Sequence, residues 1–284
     1  MIVASFIIFS FGAKSGYAKP QAAATMPISW NYKYDVVSVK PTGPKPETGS
    51  DGYGSNKSPD GLRITGATLR ALVMFAYNPI SPGGVGVGWR RDQILGAPEW
   101  AASDSFAIDA KMDVSAMDAL NKLDPDQQQV ARQQMLRTLL MEYFKLAVHT
   151  ETRELPAYFL VVAKGGPKFK EATPCEESWI GIIPGGDGSR RIMCKGCSFE
   201  LVLGALSGAA GRQVLNKTSL TGKYDFQLQW MPDNGSVAAA SAMADSPWPP
   251  ISKALEEQLG LKLDPGKGPV PVIVIEHVEK PSEN

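Results

Sequence analysis

The pattern of apolar and polar positions occurs twice along this chain. Residues 139–162 and 254–277 match without a gap at a separation of 115 residues. Each segment predicts the end of an apolar helix, a short strand, a turn and a second apolar strand. Pro156 and Pro271 occupy the same place in the two copies, just before the second strand. The repetition predicts two structurally related units.

The match extends upstream to a helix and a strand in each copy. Thr68 and Ser198 are hydroxyl residues suited to accept the free amides of a first helical turn. Apolar residues follow each of them at positions +1, +4, +5 and +8, the spacing of one face of an amphipathic helix. Residues 106–110 and 224–228 alternate between apolar and polar, which indicates strands with one buried face.

These patterns predict an α+β fold made by tandem duplication of a small strand-helix-strand-strand-helix-strand-strand unit. The first unit is predicted at 62–172 and the second at 192–284, joined by a Gly- and Pro-containing linker at 173–191. Residues 25–61 are predicted to form an N-terminal strand followed by a Pro/Gly-rich loop. A chain of 284 residues with 43% hydrophobic residues has enough apolar material for a core.

The N-terminal residues 1–24 have the features of a signal peptide. Residues 2–11 are an apolar run, followed by small-x-Ala sites for cleavage. A membrane-spanning helix needs about 20 apolar residues, so the run has the length of a signal-peptide core instead. No Lys or Arg precedes the run, which leaves an uncleaved amphipathic tail or a buried strand as alternatives. The favoured prediction is export to the periplasm or the medium.

The charge balance restricts the partners. Twenty-nine basic residues balance 29 acidic ones, so no global field would attract nucleic acid or an anionic membrane. No segment after the signal is long and apolar enough to span a bilayer. We expect no nucleic acid partner and no membrane span in the mature chain, while a protein partner remains open.

Three cysteines, Cys175, Cys194 and Cys197, are candidates for a disulfide. In an exported protein the simplest prediction pairs Cys175 with Cys194 or with Cys197 and leaves one thiol over. The C-x-x-C spacing of Cys194 and Cys197 is also found in redox and zinc sites. Zinc would need two more ligands, and neither histidine is near in sequence.

Catalytic motifs are absent from the sequence. It contains no H-E-x-x-H, G-x-S-x-G or phosphate-loop motif, and the Gly-rich residues 83–88 follow a predicted helix, as a flexible loop would. His149 and Glu151 would share one face of a strand, but two ligands make a weak metal site. We predict that the protein is not an enzyme and that it has no catalytic residue, no cofactor and no metal.

Several strings carry a family resemblance. YDVVSVKP, ATLRALVMFAY, FKLAVHTETRELPAYFLVVAKGGPK, LNKTSLTGKYDFQLQW and the C-terminal LEEQLGLKLDPGKGPVPVIVIEHVEKPSEN resemble a domain-of-unknown-function family that is abundant in soil acidobacteria. The resemblance implies an exported protein, some of whose relatives are attached to membrane metallopeptidases of the beta-lactam-sensor type. No part of the sequence resembles that peptidase, so no catalytic residue is implied.

Each half is also similar, by its order of elements, to the short N-terminal module of secretins and TonB-dependent receptors. That module is a periplasmic docking surface, and the similarity implies binding of another envelope protein. We therefore predict a docking module that uses an open strand edge, expected at the strands with Pro156 or Pro271. The alternative is a small-ligand or cell-wall sensor with a cleft between the units, near Trp89, Trp100 and Trp179.

Overall fold

The computed structural model describes residues 32–44, 55–58, 60–79, 88–173, 178–233 and 246–281. The predicted signal peptide and Cys175 lie outside the described residues. From Tyr32 onward the chain forms one compact unit, which contains both of the predicted repeats. None of the described helices is long and apolar enough to cross a membrane.

The elements alternate between strands and helices. In chain order the strands are β1 (Val36–Pro44), β2 (Ser55–Ser58), β3 (Gly61–Thr68), β4 (Ile94–Leu95), β5 (Asp104–Lys111), β6 (Ala147–Val162), β7 (Lys170–Glu171), β8 (Trp179–Pro184), β9 (Arg190–Ser198), β10 (Val214–Asn216), β11 (Lys223–Trp230) and β12 (Leu261–His277). The helices are α1 (Leu69–Ala76), α2 (Trp100–Ser103), α3 (Val114–Asn121), α4 (Pro125–Phe144), α5 (Phe199–Ala210) and α6 (Ile251–Ala254). A 3-10 turn (Arg91–Gln93) precedes β4, and α6 continues as a π-helical turn (Leu255–Leu259).

The described strands form three sheets, which confirms the predicted α+β class. The first sheet has the order β1-β5-β3-β2 and the third the order β7-β11-β9-β8, and both are antiparallel. Helix α1 begins at Thr68 and α5 at Ser198, where each hydroxyl accepts a backbone N–H as predicted. The apolar stripes of these helices pack on the buried faces of the outer sheets.

The middle sheet, with the order β10-β6-β12-β4, corrects one detail of the prediction. Each predicted closing pair of short strands is one continuous strand, and β6 and β12 pair antiparallel along their whole length. Leu160, Leu261 and Leu263 of this ladder belong to the same apolar core as α5 and the third sheet. The middle sheet therefore joins residues from both predicted units.

The prolines do not interrupt these strands, because their nitrogens face away from the ladder. Tyr158 N–H donates to Gln213 O at 2.8 Å, so the even-numbered residues of β6 direct their backbone groups away from β12. Pro156 has this parity, and a missing donor there removes no ladder hydrogen bond. The three prolines of β12, Pro265, Pro269 and Pro271, lie opposite even-numbered residues of β6, so they too face away from the β6–β12 ladder.

The order of elements is the same in the two halves of the chain. Hairpin β2–β3, α1, β5, α4 and β6 correspond in order to hairpin β8–β9, α5, β11, α6 and β12. The edge strands β2 and β8 occupy equivalent places in the outer sheets. In the middle sheet the short strands cross over, because β4 pairs with β12 and β10 pairs with β6, both in parallel. Strand β8 lies within the segment predicted as a linker, 173–191.

Candidate docking groove at the β8 edge

Strand β8 is an edge strand with large apolar side chains at its surface. Trp179 is 45% exposed, Ile182 46% and Ile183 42%. On one side β8 pairs with β9, and on the other side no strand of the described chain follows it. Open edges with apolar side chains are rare in isolated proteins, which usually protect them with charges or cover them.

The hydrogen-bond pattern shows which backbone groups of β8 are open. Gly185 N–H donates to Ser189 O at 2.8 Å, so the odd-numbered residues of the hairpin exchange hydrogen bonds with β9. Ile180 and Ile182 therefore direct their N–H and C=O groups to the open side. Pro184 has the same parity, where its missing N–H removes no ladder hydrogen bond.

A groove runs between this edge and helix α5. Its volume is about 230 Å³, and its walls are Gly88, Arg90, Ile180, Gly181, Ile182, Leu201, Gly204, Ala205, Ser207 and Gly208. The wall formed by α5 is low because most of its residues at the groove are small, namely Gly204, Ala205, Ser207 and Gly208. The larger side chains of Phe199, Val202 and Leu206 point into the core instead. Small-molecule pockets usually measure about 300–1,000 Å³. A groove of this size fits side chains better than a separate ligand.

The two polar side chains of the groove, Ser207 and Arg90, both contact other residues of the chain. The Ser207 hydroxyl donates to Leu203 O at 2.7 Å and accepts from Val214 N–H at 2.8 Å, which ties α5 to β10. Arg90 donates to Gln213 Oε1 at 3.1 Å and pairs with Asp92 at 3.0 Å. Neither side chain is arranged as a nucleophile or a general base.

The turn that carries β8 is fixed by Asp187. Its carboxylate accepts hydrogen bonds from Ser189 N–H at 3.0 Å and from the Trp248 indole N–H at 3.1 Å. Hydrogen bonding by Ser189, and more weakly by Trp248, lowers the pKa of Asp187. The ionised carboxylate thus holds the turn and orients the edge strand.

The disulfide differs from the predicted one. Cys194 and Cys197 are joined to each other within β9, so neither pairs with Cys175. Their Cα atoms are 5.7 Å apart, because Gly196, with φ of +60°, kinks the strand between them at a β-bulge opposite β11. Cys197 Sγ lies 3.1 Å from Trp179 O, a packing contact since a disulfide sulfur has no proton to donate. The disulfide in β9 therefore packs against the backbone of β8.

The other candidate residues lie apart from the groove. His149 Nδ1 is 2.7 Å from Glu276 Oε1 and its Nε2 is 3.7 Å from Glu151, on the exposed β6–β12 ladder. None of the three predicted aromatics lines the groove itself. Trp89, between the lining residues Gly88 and Arg90, donates to Tyr77 O at 2.6 Å, Trp100 packs edge-on against Phe106, and Trp179 precedes the lining residue Ile180 in β8. Among the described residues, no group of three or more His, Cys, Asp and Glu side chains could hold a metal.

The predicted docking edges, with Pro156 and Pro271, lie in β6 and β12 of the middle sheet. Strand β10 covers only residues 158–160 of β6 and β4 only residues 273–274 of β12, so much of each outer side has no partner strand among the described residues. We place the candidate edge at β8 instead, because its large apolar side chains are exposed. The sequence contains a usable signal for β8, namely aromatic and β-branched residues between Gly- and Pro-containing turns. That signal was obscured because Gly181 and Pro184 also suit a loop.

The described chain is thus an α+β protein with an open sheet edge and a groove beside a helix. The sequence of residues 71–278 matches the family model described as protein of unknown function (DUF3738), and the chain belongs to this family. The predicted membership in a domain-of-unknown-function family is confirmed at that level. Comparison with curated proteins and with solved structures finds no match.

Proposed function

We propose that this chain is a non-enzymatic docking protein of the cell envelope, which binds an extended segment of another envelope protein at the β8 edge. The observation that carries the proposal is the open backbone of Ile180 and Ile182 beside the α5 groove. An added strand would hydrogen-bond to these groups and place alternate side chains in the groove. The location in the envelope rests on the signal-peptide features and on the family resemblance.

An internal comparison supports a role for β8. The equivalent edge strand of the first half, β2, has the polar sequence Ser-Asn-Lys-Ser, whereas β8 reads Trp-Ile-Gly-Ile-Ile-Pro. Lysine and polar residues are the usual protection of an edge against pairing. Two strands at equivalent places thus differ in the property that controls strand addition.

We also propose that the chain arose by tandem duplication. The shared order of elements, the equivalent helix caps at Thr68 and Ser198, and the reciprocal pairing of β4 with β12 and β10 with β6 support it. A superposition of 62–170 on 192–280 that failed to align the outer sheets would contradict this proposal.

The test is a crosslinking pull-down from native envelopes with three baits. Ile182→Pro removes the open N–H, while Ile182→Ala keeps it and removes most of the side chain. We expect Ile182→Pro to lose at least about tenfold of the captured partner, and crosslinks to involve Lys195 behind β8 rather than Lys111 on the first sheet. Thermal unfolding checks that each bait is folded.

Equal capture by Ile182→Pro and by the unaltered chain would refute docking at this edge. A shallow groove of about 590 Å³ on the outer face of the first sheet, which includes Lys40, Arg63, Asp109 and Lys111, would then favour the alternative of a ligand sensor. Its size is in the usual range for small ligands.

A further inference from the structure

Strand β8 has no charge to discourage pairing with an identical strand. Its side chains are apolar on both faces, and its open backbone positions, Ile180 and Ile182, are placed symmetrically about Gly181. An antiparallel pair of identical strands needs such symmetry, because each residue contacts its counterpart across a two-fold axis.

We propose that a second copy of this chain occupies the β8 edge until the docking partner displaces it. This inference rests on the proposed docking at β8 and names the protein that covers the site in the partner's absence. The two strands run antiparallel with Gly181 opposite Gly181 of the second copy. Ile180 and Ile182 then exchange four hydrogen bonds with Ile182 and Ile180 of that copy, and the two third sheets become one.

The side chains fit this register. Ile182 of the second copy lies beside Ile180, on the face where the groove against Leu201, Gly204 and Ala205 can receive it. Trp179 lies opposite Ile183 of the second copy, on the other face and in a non-hydrogen-bonded pair, where side chains are closest. Exposed apolar surface is therefore covered on both faces of the joined sheet.

Charge does not oppose the pairing. Arg90 at the groove is paired with Asp92. The like charges of β9, at Arg191 and Lys195, would be three strand spacings, or about 14 Å, from those of the second copy. Interactions between exposed charges are largely screened beyond about 8 Å at physiological salt.

The interface is small, as expected if the docking partner can displace the second copy. One six-residue edge and its side chains fall below the roughly 1,200–2,000 Å² buried in stable complexes. We expect a concentration-dependent dimer with a dissociation constant in the micromolar range or above.

A disulfide trap tests the register. Gly181→Cys places two thiols across the axis in a non-hydrogen-bonded pair, where Cβ atoms approach to about the distance of a disulfide. The three atoms nearest to the new Cβ all belong to the Trp179 ring, the closest at 2.7 Å, so we expect the variant to fold with that ring turned aside. The control is Val114→Cys, a 70% exposed site on α3. Both are made in a Cys175→Ser background.

We expect Gly181→Cys to form a covalent dimer under mild oxidation at least about tenfold faster than Val114→Cys. Sedimentation of the unaltered chain should show a dimer, and Ile182→Pro should weaken it. The oxidised Gly181→Cys dimer should lose the envelope partner in the pull-down and regain it on reduction.

A chain that stays monomeric at its highest soluble concentration, or a Gly181→Cys variant that crosslinks no faster than the control, would overturn this inference. Docking at β8 would still stand if Ile182→Pro abolished capture by the monomer. If Ile182→Pro changed neither the capture of the envelope partner nor the dimer seen in sedimentation, the proposed function would be refuted as well.

Discussion

Substitution of one glycine, Gly260, tests the packing contact between the two halves of the chain. Gly260 ends the helical segment before β12 with φ of +65°, and Gly211 ends α5 with φ of +67°. A Cβ added at Gly260 would overlap the carbonyl oxygen of Gly166, in the turn after β6, whereas nothing lies within 4 Å of one added at Gly211. Alanine at the two sites therefore causes the same backbone strain and very different steric strain.

The expected magnitudes follow from these contacts. A left-handed conformation costs an alanine about 1–2 kcal/mol, which applies to both variants. Relieving the overlap at Gly260 requires the turn to move, which disturbs the hydrogen bonds Ala163 N–H to Gly260 O and Lys168 N–H to Leu259 O, both 2.9 Å. At about 1 kcal/mol for each hydrogen bond, Gly260→Ala should lose about 3–4 kcal/mol of unfolding free energy in total.

Urea denaturation of the purified chain measures both values. Gly166→Ala is a second control, because Gly166 has φ of +80° and open space around its Cβ position, and it should behave like Gly211→Ala. If Gly260→Ala were no more destabilising than Gly211→Ala, the turn after β6 would not pack on the helix end as described. Two separate unfolding transitions would also contradict one compact unit that contains both halves.

Three further predictions concern stability. Ser207→Ala leaves the buried Val214 N–H without its acceptor and should lower the unfolding free energy by about 1–3 kcal/mol in urea titrations. Thr68→Ala and Ser198→Ala each remove a helix cap and should cost about 1 kcal/mol, and the double variant should show the sum within about 0.5 kcal/mol because the caps are on different helices. Burial raises the pKa of Tyr34 to about 12, so the native state retains a proton that the unfolded state releases, and stability should fall as pH rises above 10. A tyrosinate absorbance titration with no group near 12 would contradict the last prediction.

The sequence predicted those elements whose pattern is local. Caps at Thr68 and Ser198 and the stripes that follow them depend only on neighbouring residues, and both helices begin where expected. Alternation at 106–110 and 224–228 likewise marks the strands β5 and β11. The α+β class follows from these elements.

Features that depend on pairing partners were not predictable. The sequence pattern places Pro156 just before a second short strand, whereas the pairing of β6 with β12 makes one continuous strand in which the missing donor is not needed. The Cys194–Cys197 pairing depends on a bulge at Gly196, which is set by the register of β9 against β11. Both outcomes require knowledge of the partner strand.

The crossing of the short strands ties the two halves of the chain together. Because β4 and β10 each pair with the long strand of the other half, separating the halves would break both pairings along with the β6–β12 ladder. The fold therefore fixes the two halves relative to each other. Strands β2 and β8 are equivalent edges of the outer sheets, whose opposite edges are β1 and β7. The two edge strands differ in sequence, because β2 contains a lysine and β8 contains no charged residue. If pairing is confined to β8, as we propose, the protein can form a closed pair or bind a single partner, whereas two pairing edges would favour open chains.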